Sequence, residues 1–72
     1  MTLQERINEA AASVAVSREE QEDLRRHIVR LALEGRSVRG TAGQLRRAMQ
    51  RHRELVLLQN DLIRQQLKEA FG

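Results

Sequence analysis

The sequence predicts an all-α fold, and three observations carry that prediction. Proline and cysteine are absent, helix-favouring Leu, Ala, Glu, Gln and Arg dominate, and three of the four glycines fall between Gly35 and Gly43. Apolar residues also recur at alternating steps of four and three, the spacing of one helix face. Seventy-two residues make one small domain, spanning 1–72, near the size at which a single core supplies only about 3–5 kcal/mol. Without cysteine, the support left to such a chain is self-association or a partner.

The first element opens at Thr2 to Glu5 (TLQE), a hydroxyl followed three positions on by an acid, the pattern of a helix-start capping box. It predicts a helix over residues 3–15. The stretch AAASVAVS that follows is weak helix rather than a breaker. A row of Leu3, Ile7, Ala10, Val14, Ser17, Gln21, Leu24, Ile28 and Leu31 runs straight through it. The N-terminal helix is therefore either short and separate or collinear with the next. Ser17 to Glu20 (SREE) repeats the capping pattern and opens a second segment, residues 17–34, which Gly35 closes as a left-handed C-terminal cap.

A third capping pattern, Thr41 to Gln44 (TAGQ), opens residues 41–71, roughly 31 residues and about 46 Å as one helix. Leu45, Met49, His52, Val56, Gln59, Ile63, Gln66 and Ala70 form its row, flanked by Ala48, Leu55, Leu58 and Leu62. Folding the chain at Gly35 to Gly40 then gives an antiparallel helical hairpin of 17–34 against 41–71, with residues 3–15 extending the first arm. The apolar arc of the last helix covers about half its circumference, wider than the roughly 100° one neighbour requires. Dimerisation into a helical bundle, or a protein partner, is the expected use of the surplus.

Charge is uneven: residues 1–34 carry a net of −2 and residues 35–72 a net of +5, with six arginines and no acid between Arg36 and Arg53. Within that region GRSVRGTAGQLRR resembles the helix-turn-helix of invertases, resolvases and many transposases through Gly35, Ser37, Ala42 and Leu45. The resemblance implies a DNA-binding regulator contacting phosphates with Arg36, Arg39, Arg46, Arg47, Arg51 and Arg53. Arg46, however, stands where that pattern has its turn glycine, and Thr41 where it has an aliphatic residue.

No catalytic constellation is present. His52, His27, Asp23 and Glu54 do not fall at helical ligand spacing, and no nucleophile adjoins His52, so neither enzyme activity, nor a metal, nor a cofactor, nor a small-molecule substrate is expected. His52 is expected instead to face Asp23 or Leu24 across the hairpin. Ser17, Gln21, His52 and Gln59 form a polar middle, either a register device or a solvated helix junction. Glu19, Glu20, Glu22 and Asp23 read as first-turn acids, or as an attractor for the arginine-rich end of a second subunit.

Single-strand binding has no stacking platform, since Phe71 is the sole aromatic, and no run is apolar enough for a membrane span. With no apolar leader behind MTLQERINE, the expected location is the cytoplasm. The function expected from these residues is a non-catalytic protein–protein interaction module, a small helical regulator or chaperone-like protein and a homodimer. Its anchors are Leu55, Val56, Leu58, Leu62, Ile63 and Leu67, with Arg47, Arg51 and Arg53 as a charged rim. In layout the chain looks like small bacterial regulators such as quorum-sensing antiactivators, or the small helical cochaperones of secretion systems.

Overall fold

In a computed structural model, which describes all of residues 1–72, helix α1 runs Leu3–Leu33 and helix α2 runs Arg39–Phe71, packed against each other with no strand. They form an antiparallel hairpin measuring 57 × 16 × 15 Å. The N-terminal segment is collinear with residues 17–34: α1 is one helix through AAASVAVS. Its nine-residue row explains why, for all nine positions are buried or half-buried against α2. Tertiary burial of this unbroken row outweighs the modest helix propensity of Val and Ser.

Thr2 caps α1 as expected: its hydroxyl accepts the Glu5 backbone N–H at 3.1 Å and donates to the Glu5 carboxylate at 3.1 Å. Ser17 caps nothing. It lies in mid-helix, 3% exposed, so the second capping pattern is part of the buried row rather than a helix start. At the other end Gly35 has φ +70°, and its N–H reaches Ala32 O at 3.1 Å while that of Arg36 reaches Leu31 O at 2.9 Å. This pair of bonds is the Schellman closure, and it satisfies two carbonyls the helix would otherwise leave open.

Helix α2 begins two residues before Thr41. Val38 occupies its N-cap position with no side-chain cap, and Ala42 N–H bonds Val38 O at 2.8 Å. Thr41 thus falls inside the first turn and is half-buried.

The inner row of α2 also differs from the predicted one. Leu45, Ala48, His52, Leu55, Gln59, Leu62 and Gln66 face α1, whereas Met49 and Ile63 are exposed and Val56 is half-buried beside the seam. Both rows share the positions of Leu45, His52, Gln59 and Gln66 and differ by one residue between them. The small side chains of Ala48, 1% exposed, and Ala10, 6% exposed, let the helices approach closely, which selects the row containing Ala48.

Candidate protein-interaction surfaces

Contacts across the hairpin set its register. The Arg51 guanidinium reaches the Glu20 carboxylate at 3.4 Å, and Gln66 Nε2 donates to Gln4 Oε1 at 2.6 Å. Both are surface contacts, and the ion pair contributes at most about 1 kcal/mol. The polar middle starts level with the ion pair and extends toward the glutamines. Ser17 and Gln21 are buried, and His52 and Gln59 half-buried. Gln21 donates to Ser17 O and accepts from Arg25, each at a long 3.5 Å, while Ser17 Oγ and His52 Nδ1 are buried without any partner. The middle is therefore a part of the seam and not a solvated junction. Asp23 does not pair with His52; it is exposed and holds Arg26 at 2.7 Å.

The nine expected interaction residues do not form one surface. Leu62, 5% exposed, and half-buried Leu55 belong to the seam, so most of their area is already spent on α1. Leu58, 48% exposed, lies to one side of that seam, with Arg51 and Arg47. Val56, Ile63 and Leu67 lie on the other side, roughly 150° away around the helix, with exposed Met49 in line and Arg53 beyond them.

On the Leu58 side the two helices leave a trough. A hollow of about 270 Å³ is lined by Met1, Ala10, Leu55, Leu58 and Leu62, and a second of about 330 Å³ by Ala12, Val16, Arg51 and Leu55. Glu9, Ser13 and Leu55 border both, which makes them continuous. A third, of about 380 Å³, carries the trough along α1 past Val16 and Glu20 to Leu24 and His27. Its acidic border is Glu9, Glu19, Glu20 and Asp23, against Arg6 and Arg51.

On the opposite side Val56, Ile63 and Leu67 form a ribbon, next to which α1 presents the exposed alanines Ala11 and Ala15. The sequence pattern missed those alanines because they lie outside the α1 row. Their signal was the run AAASVA itself, which supplies small residues to two faces at once.

Charge is distributed by the fold rather than by the sequence halves. Residues 18–54, which make up the bend half of the rod, hold ten arginines against six acids, a net of +4. The open half, formed by both chain ends, holds three basic and four acidic residues, a net of −1. Across Arg46 the backbone stays helical, so the turn of a helix-turn-helix is missing. No three His, Asp or Glu side chains are grouped to hold a metal ion, and no helix is long and apolar enough to cross a membrane.

No protein-family model matches this chain, and no curated protein or solved structure resembles it closely enough to be matched.

Proposed function

We propose that the protein is a non-catalytic interaction module, a small helical regulator or escort that self-associates and takes a helix of a partner protein in the Leu58 trough. The observation that carries this reading is the amount of surface the hairpin leaves bare. The chain exposes 5741 Å², whereas a compact protein of 8.3 kDa exposes about 4,600 Å². The excess, roughly 1,100 Å², exceeds the about 800 Å² that one partner contributes to an ordinary protein interface.

The trough fits an amphipathic helix whose apolar side chains recur every three or four residues, the helix-in-groove mode of recognition. Four acids on its border against two arginines favour a partner helix flanked by basic residues. Leu55, Leu58 and Leu62 form its floor and wall, and Arg51 stands on its rim.

The test compares the wild-type chain with Leu58→Asp, both tagged and used to capture partners from the source cell, with nuclease present. A defined protein should form a complex of fixed stoichiometry with the wild type, persist at moderate salt, and be lost from the variant while the variant's helicity is unchanged. Equal capture by both would sink the trough as the binding site.

A second reading is supported by the net +4 of the bend half: contact with nucleic-acid phosphates through Arg36, Arg39, Arg46 and Arg47, with Arg51 and Arg53 further along α2. It requires affinity to fall steeply between low and moderate ionic strength. Capture that disappears with nuclease or salt would favour it over the trough.

A further inference from the structure

The ribbon opposite the trough has its own chemistry, and we infer that its occupant is a second copy of this chain, packed antiparallel so that the bend of one rod lies beside the open end of the other. This rests on the self-association proposed above and specifies the face and the orientation. Met49, Ile63 and Leu67 are 48%, 36% and 52% exposed, and half-buried Val56 lies among them, so apolar side chains spaced at one to two turns along this side of α2 lack a neighbour. Ala11, exposed on the same side of α1, is small enough to leave room beside this line for a side chain of an identical partner. Such a patch can meet its own copy across a two-fold axis, since the same surface then faces itself.

Charge decides the orientation. Rods packed in parallel would set one bend half, at +4, against the other, and the two open halves, at −1 each, together. Antiparallel packing sets +4 beside −1 at both ends. Val56 is close to the middle of the long axis, so a two-fold axis there overlaps the rods along most of their length.

Because α1 is continuous, Glu19, Glu20, Glu22 and Asp23 lie in mid-helix and not in a first turn, and Glu19, Glu20 and Asp23 border the trough and not this face. The area is sufficient too, since the excess surface of the hairpin covers one ordinary interface with some left over for the trough.

The absence of cysteine allows site-directed labelling of the full chain without background. Ser37→Cys places a spin label at the exposed bend, to be measured by pulsed electron resonance alongside sedimentation equilibrium. A dimer with labels about 50 Å apart is expected, whereas parallel rods would hold them within about 20 Å. Ile63→Asp combined with Leu67→Asp should weaken the dimer at least about 100-fold with helicity retained, both side chains being exposed.

If that pair lowers helicity, Met49→Asp, at an exposed position near the opposite end of the ribbon, provides the same test. A wild-type chain that stays monomeric at every concentration overturns the proposal and leaves the trough reading standing. A dimer with a short label distance overturns the orientation, and a dimer indifferent to these substitutions overturns the face.

Discussion

Helices α1 and α2 are nearly equal in length, 31 and 33 residues, but they use their apolar side chains differently. Helix α1 places its regular row on the seam and leaves few large apolar residues outside it, chiefly Val16, Val29 and Leu33. Helix α2 fills the seam and still exposes Met49, Leu57, Leu58, Ile63, Leu67 and Phe71. The first helix is built to be covered once and the second to be covered from several directions. A hairpin offers α2 only one neighbour, so its surplus is the part of the molecule directed outward.

The largest effect should come from breaking what the two helices share. Leu62→Asp puts a carboxylate in the seam and should cost about 3–5 kcal/mol, comparable to everything a core of this size supplies, so circular dichroism should show loss of helix at 25 °C. Leu58→Asp, on the same helix but outside the seam, should leave the melting temperature within a few degrees. That contrast separates seam from surplus directly. If both unfold the chain, the distinction between them is wrong.

Two substitutions should sharpen the comparison by stabilising the hairpin. Ser17→Ala removes a buried hydroxyl that has no partner and restores a better helix former, for a gain of about 1–2 kcal/mol in chemical denaturation. A loss instead would mean that the hydroxyl is bonded within the seam. Gly43→Ala should add about 0.5–1 kcal/mol, because the residue is inside α2 and an added Cβ would meet only the Arg47 guanidinium, at 3.9 Å. The smallest effect belongs to the surface pair: Arg51→Gln should cost no more than about 1 kcal/mol, and less at high salt.

The helix α1 row was legible residue by residue, since its polar flanks allow only one phase. The α2 row was not, because Ala48, Leu55 and Leu62 compete with Met49, Val56 and Ile63 for the same steps, and both sets are apolar. Hydrophobicity alone cannot choose between them. What chooses is the closeness of the backbones that Ala10 and Ala48 permit, a property of the pair and not of either helix. This one-residue choice also divided the expected interaction residues, sending Leu58 to one side and Ile63 and Leu67 to the other. Capping patterns misled for a similar reason: Ser17 and Thr41 have the right neighbours for helix starts, but burial against the other helix extended each segment past them.

The closure at Gly35 has a topological consequence. Every contact of the seam is made between two helices that a short bend holds in one molecule, and nothing in those contacts requires that they belong to the same chain. Were residues 34–38 to become helical, α1 and α2 would fuse into a single rod of about 100 Å, and two such rods could exchange arms and rebuild each seam between molecules. A left-handed glycine at the bend, where φ is +70°, disfavours that continuous helix. Gly35 thereby makes the hairpin a choice of connectivity, guarding against domain exchange as well as ending a helix.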